Sequence, residues 1–169
     1  MKEENLQDKH NPSLGNRISP EEKGRIRRGY SVQEESLHIL HVDGDASFLQ
    51  VSKGILESEN KFEIDTATSV DEAFDKLKTH SYDAVVSDSE MPMKSGLDFL
   101  KELRKQKNSI AFIVFTSEDR EVVTVRALNM GADRCISNTG SPEAVYTELA
   151  DAIRKTVNAR KQARANKEV

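Results

Sequence analysis

The chain of 169 residues is 36% hydrophobic and 32% charged, with a net charge of −4, which fits one globular domain with tails rather than a disordered or fibrous chain. Its apolar runs last only a few residues, far short of the roughly 20 that a membrane-spanning helix needs, and the polar start MKEENLQDKHNPSLGN lacks the apolar stretch of a signal peptide, so a cytoplasmic protein without membrane attachment is expected. Cys135 stands alone, which excludes an internal disulfide and a cysteine zinc site.

Charge is unevenly spread. Residues 1–36 carry seven basic and seven acidic side chains, and residues 154–169 carry six basic ones against Glu168 alone. The body between them holds −9. An acidic body argues against nucleic-acid binding through that body. The first 36 residues include Asn11-Pro12, Gly15, Pro20, Gly24 and Gly29 with little apolar periodicity. They read as a flexible arm with a short basic helix near Glu21–Arg28.

From Leu37 strands and helices alternate. LHILHV (37–42) reads as a strand, followed by a helical pattern through Phe48, Val51, Ile55 and Leu56. FEIDTA (62–67) is the second strand. Val70, Ala73, Phe74 and Leu77 then fall at helical spacing, with Ser69 as N-cap. YDAVVSD (82–88) is the third strand, and Leu97, Leu100 and Leu103 mark the third helix. IAFIVFT (110–116) is the most apolar strand, expected at the centre of a sheet covered on both faces. Val123, Ala127 and Met130 suit a fourth helix ended by Gly131, and RCIS (134–137) is a short fifth strand. The last helix opens at Ser141-Pro142-Glu143 and keeps an apolar face at Val145, Leu149, Ala152, Ile153 and Val157. Past Val157 the sequence has almost nothing to bury, so residues 156–169 are expected to project as a basic extension of that helix. Five strands alternating with five helices predict an α/β fold, a doubly wound parallel sheet with right-handed crossovers.

In such sheets function collects outside the carboxyl ends of the strands. Those ends are Asp43-Gly44-Asp45, Asp88-Ser89-Glu90, Thr116-Ser117 and Ser137-Asn138. Four acidic side chains, a threonine hydroxyl and an amide therefore converge on one rim. Two like charges about 4 Å apart repel by roughly 4 kcal/mol at an effective dielectric near 20. A cation is expected to offset them, and an all-oxygen ligand set favours Mg²⁺.

The segments VDGD, YDAVVSDSEMPMKSGLDFL, FTSEDREVVTVRALNMGAD and SNTGSPE carry a resemblance, most specifically in the D-x-x-M-P-x-x-x-G string from Asp88 to Gly96. Over residues 37–155 the chain resembles the receiver domain of two-component response regulators. The resemblance implies a flavodoxin-like, five-stranded sheet of order 2-1-3-4-5 and a role in phosphorelay signalling. Asp88 would be the phosphoacceptor, attacking the phosphorus of a kinase phosphohistidine, with Thr116 as a phosphate contact and switch residue. Mg²⁺ would be held by Asp43 and Asp88; at Glu90 the family supplies a backbone carbonyl, and here the Glu90 side chain is a further candidate ligand, directly or through water. A histidine kinase or phosphotransfer protein would supply the phosphoryl group. A downstream protein would read the fourth and fifth helices, a face through which a homodimer could also form. The remaining residues leave no room for an output domain, so a stand-alone receiver is expected.

Three positions depart from the family. Its second acid after strand one, usually a direct metal ligand, is Gly44 here. Asp45 is then either the N-cap of helix one or a metal ligand reaching inwards on the freedom of Gly44. The family's lysine after strand five is Asn138, an amide that donates a hydrogen bond to a phosphoryl oxygen but brings no charge. The switch aromatic three residues earlier is Cys135, so no ring can rotate. These departures keep a second reading open, a degenerate receiver acting as a phosphorylation-independent interaction module. A weaker third is a haloacid-dehalogenase-like phosphatase, faintly suggested by Asp88-Ser89-Glu90; its nucleophile normally follows the first strand and needs a lysine nearby. Flavin binding fails because Asp43 and Asp45 would repel a phosphate. His10, His38, His41 and His80 show no ligand spacing and are assigned no role.

Overall fold

A computed structural model describes residues 35–118 and 120–168. Residues 1–34 of the expected arm, with its short basic helix, lie outside the described residues. The elements run β1 (Leu37–Val42), α1 (Ala46–Glu59), β2 (Phe62–Ala67), α2 (Val70–Thr79), β3 (Ala84–Ser87), α3 (Gly96–Lys105), β4 (Ala111–Thr116), α4 (Arg120–Asn129), β5 (Arg134–Ser137) and α5 (Pro142–Ala165). All strand pairings are parallel, in the order β2-β1-β3-β4-β5. This is the doubly wound sheet expected from the sequence.

Side-chain alternation splits the core in two. Ile39, Ala84, Val86, Ile113 and Phe115 point to one face and pack with Leu56, Leu149, Ile153 and Val157 of α1 and α5. Leu40, Val42, Val85, Phe112 and Val114 point to the other, against Ala73, Leu97, Phe99, Leu100, Val123 and Ala127 of α2, α3 and α4. Every residue of β4 is buried, as a central strand covered on both faces requires. Local chemistry starts the helices. Ser69 accepts from the Glu72 N–H, Ser95 and Asp98 form a capping box, and Ser141 accepts from the Ala144 N–H with Pro142 next in the helix.

Two helices depart from the expected pattern. Val51 is 60% exposed, whereas Leu49, Ser52 and Leu56 of α1 are buried and Phe48 and Ile55 pack against the same core. Ser52 takes the buried place because its hydroxyl meets His41 Nδ1 at 3.2 Å. The basic end of α5 is also less free than its composition suggests. Arg160 Nη2 donates to both carboxylate oxygens of Asp133, at 2.7 and 2.8 Å, and the same carboxylate accepts the Phe112 N–H at 2.8 Å. This bidentate bond ties the helix extension to the β4 and β5 side of the sheet. Among the described residues no helix is long and apolar enough to cross a membrane.

His41 is fully buried beside Phe48 and Phe115, and its Nε2 has no hydrogen-bond partner. Burial pushes its imidazole down to about 4. The unfolded chain therefore binds a proton that the fold refuses, and stability falls as pH drops from the ordinary histidine value towards 4. Urea unfolding at pH 7 and pH 5 checks this. The wild type should lose about 2 kcal/mol more than His41→Leu between the two, and equal losses would show that His41 does not govern the acid limb.

Candidate functional site

Sheet register builds the site. Val42 lies opposite Ser87, and Thr116 lies opposite Ser137. The next residue on each strand, Asp43 and Asp88, therefore leaves the sheet beside its counterpart, and the Asp88 N–H donates to Val42 O at 2.9 Å. Asp43 is 8% exposed, and its Oδ1 accepts the Asp45 N–H at 2.8 Å. Asp88 is half-buried, with the N–H groups of Ser89 and Glu90 and the hydroxyl of Thr116 turned to its carboxylate. Both carboxyls sit above the usual aspartate range. Burial is the main cause for each; the charge of Asp88 adds to the rise of Asp43, and that of Glu118 to the rise of Asp88. The rim thus carries negative charge that its hydrogen bonds only partly satisfy.

Close backbone packing holds Asp88 in place. The Gly96 N–H bonds to Ser89 O at 2.9 Å as α3 begins. A Cβ on Gly96 would lie 1.8 Å from Asp88 O, so only glycine lets the helix start this close to the strand end. The turn between them includes Met93 at φ 71°, fully exposed.

The other candidate residues have distinct fates. Asp45 is the N-cap of α1, its Oδ1 accepting from Ser47 N and Phe48 N at 2.9 and 3.0 Å. Gly44 does not use a left-handed backbone; its Cβ position faces Pro92 Cδ at 3.1 Å. Glu90 is exposed and meets Glu118, whose hydrogen bond and charge hold the Glu90 carboxyl above its ordinary range. Asn138 bonds through its backbone N–H to Thr116 O at 3.0 Å. Cys135 is buried opposite Val114 in the α2–α4 half of the core, where its thiol packs as a small apolar group.

Two residues given no role from sequence belong to this rim. Ser89 is buried, and its hydroxyl lies 2.7 Å from Thr116 Oγ1 and in short contact with Glu118 Oε2. Glu118 also donates its backbone N–H to Thr116 Oγ1 at 3.3 Å. A serine directly after Asp88 and an acid two residues after Thr116 were the available signals. Their meeting depends on how two loops fold over each other.

The donor set bears on a cation. Among the described residues no three acidic, histidine or cysteine side chains come together as a metal-binding group. Asp43 and Asp88 remain as a facing pair. Mg²⁺ usually keeps several waters and is bound through only one or two carboxylates, so this pair fits it with few protein ligands.

An open parallel α/β sheet with an aspartate pair outside β1 and β3 and a threonine at the end of β4 defines a class of signalling domain. A family model described as the response regulator receiver domain matches residues 39–150, and the chain belongs to that family. It is 31% identical over 116 residues to the response regulator SaeR of Staphylococcus aureus, covering 69% of this chain and 50% of SaeR. The chain thus spans about half the length of the curated relatives it matches. Among solved structures it is similar to a response regulator receiver domain protein from Clostridium thermocellum (TM-score 0.66, 28% identity, 75% of this chain and 98% of that one). It is also similar to the response regulator domain of Thermotoga maritima CheB (TM-score 0.66, 28% identity, 73% and 98%).

Raised carboxyls destabilise the fold at neutral pH. Each binds its proton more tightly folded than unfolded, so its favourable contribution is present at low pH and lost as pH rises through the folded value. Asp88→Asn removes one charge of the pair. Its thermal midpoint at pH 7 should exceed the wild type's by about 2–4 °C, the equivalent of roughly 1 kcal/mol. The gap should narrow in scans below pH 5, and a lower midpoint at pH 7 would refute the charge argument.

Proposed function

We propose that Asp88 accepts a phosphoryl group from a phosphohistidine and that Thr116 reports its arrival. The observation that carries this reading is the half-buried Asp88 carboxylate, raised by burial and facing Asp43 and the Thr116 hydroxyl. An Asp88 carboxylate oxygen attacks phosphorus in line. The phosphorus–nitrogen bond breaks with its electron pair returning to the imidazole, and an acyl phosphate forms on Asp88. The Ser89 and Glu90 N–H groups orient the nucleophile. Thr116 then donates to a phosphoryl oxygen, and the Asn138 amide is the second donor.

Asp43 and Asp88 would hold Mg²⁺ with waters filling its other positions, whereas Glu90 is engaged with Glu118 and Asp45 as a cap. Mg²⁺ would neutralise the carboxylates and the phosphoryl oxygens. Family membership makes a histidine kinase or phosphotransfer protein the donor class. The exposed Val122, Val125 and Leu128 on α4 support the reading that the α4–α5 face meets a downstream protein or a second copy of the chain.

A second reading, a phosphorylation-independent interaction module, is favoured by Gly44, Asn138 and the Glu90–Glu118 acid pair. Acetyl phosphate with Mg²⁺ separates the two. The phosphoacceptor reading expects a phosphate-sized mass gain, mapped to Asp88 and lost in Asp88→Asn; no gain in the wild type leaves the interaction module. Gly44→Asp restores the missing acid if the Pro92 ring yields a few tenths of an ångström. It should tighten Mg²⁺ binding roughly tenfold, about 1.4 kcal/mol, by calorimetric titration. Unchanged affinity would mean the cation does not sit beside position 44.

A further inference from the structure

We infer that Ser89 and Glu118 set the direction of the Thr116 hydroxyl proton and are therefore positioning residues for the phosphoryl group. The inference rests on the phosphoacceptor reading of Asp88. Four oxygen-bearing groups stand in a row. The Asp88 carboxylate faces the Thr116 hydroxyl, Thr116 Oγ1 lies 2.7 Å from Ser89 Oγ, and Ser89 Oγ is in short contact with Glu118 Oε2. Ser89 and Thr116 are 3% and 1% exposed, so water does not replace a missing partner.

The two close contacts use both hydroxyl protons, and a bond from Thr116 to Asp88 would need a third. If Ser89 donates to Glu118, Thr116 must donate to Ser89 to keep their 2.7 Å contact, and its proton points away from Asp88. If Thr116 donates to Asp88, Ser89 must donate to Thr116, and Glu118 loses its bond. Each direction keeps one bond to a carboxylate, so bond strength alone does not choose between them; the short Ser89–Glu118 contact, with Ser89 as donor, is what turns the row towards Glu118. Glu90 meets the same carboxylate from the exposed side, and the Glu118 N–H on Thr116 Oγ1 keeps the acid in place. A phosphoryl group on Asp88 must win the Thr116 proton against this pull.

Glu118→Gln tests the direction, because an amide can donate to Ser89 and let the whole row run towards Asp88. The probe is trifluoroberyllate with Mg²⁺, which takes a phosphoryl-like place on an aspartate. Glu118→Gln should tighten it about fivefold, the factor of one ordinary hydrogen bond, and most of that gain should vanish in the Ser89→Ala background. Equal tightening with and without Ser89 would assign the effect to lost charge alone and overturn the inference. If the wild type takes up neither trifluoroberyllate nor a phosphoryl group, the phosphoacceptor reading falls. The hydroxyl row is then decided separately by the Thr116 methyl resonance of the unmodified protein. A shift in Glu118→Gln that disappears when Ser89 is also replaced supports it, and an unmoved resonance overturns it.

Discussion

Two carboxylates that the sheet will not let separate dominate this structure. The pairing of Val42 with Ser87 brings Asp43 and Asp88 out of β1 and β3 side by side, and the Gly96 contact keeps α3 tight against the Asp88 carbonyl. Burial raises both carboxyls, and the charge of Asp88 adds to the rise of Asp43. The fold tolerates this because its stability comes from elsewhere, from two apolar cores on either side of the sheet.

The surroundings of the pair set this receiver apart from the usual family pattern. Gly44 and Asn138 remove one expected acid and one expected ammonium, so the two changes cancel in net charge. Glu90 and Glu118 add acids on the outer side, where they meet each other. Ser89 links this acid pair to Thr116. The hydroxyl that a receiver would use to sense phosphate is therefore already shared between two carboxylates, and its response depends on both.

Much of the architecture was legible in the sequence. Period-two and period-3.6 apolar patterns placed five strands and five helices, and Ser69, Ser141 and Pro142 marked helix starts that the structure has. The positions of Asp43, Asp88 and Thr116 were legible because each directly follows or ends a strand, where parallel register alone brings them together. Legibility failed where contacts join distant loops or depend on one buried neighbour. Ser89 and Glu118 are 29 residues apart and meet only through loop geometry. Arg160 finds Asp133 across 27 residues, and a composition-based reading sees only a basic tail. Val51 fitted the apolar stripe of α1, yet Ser52 is buried because His41 offers it a partner. His41 was one of two histidines in an otherwise apolar strand; its cost lies in a buried nitrogen with no partner.

If the Asp43–Asp88 pair holds charge, a divalent cation relieves it. Thermal unfolding at fixed ionic strength, with and without Mg²⁺, tests it most directly. At a hundredfold excess over the dissociation constant, binding stabilises by about 2.7 kcal/mol. The wild-type midpoint should rise by several degrees, and Asp43→Asn and Asp88→Asn should lose most of that rise. An unmoved wild-type midpoint up to high Mg²⁺, or an equal rise in all three proteins, would contradict the account.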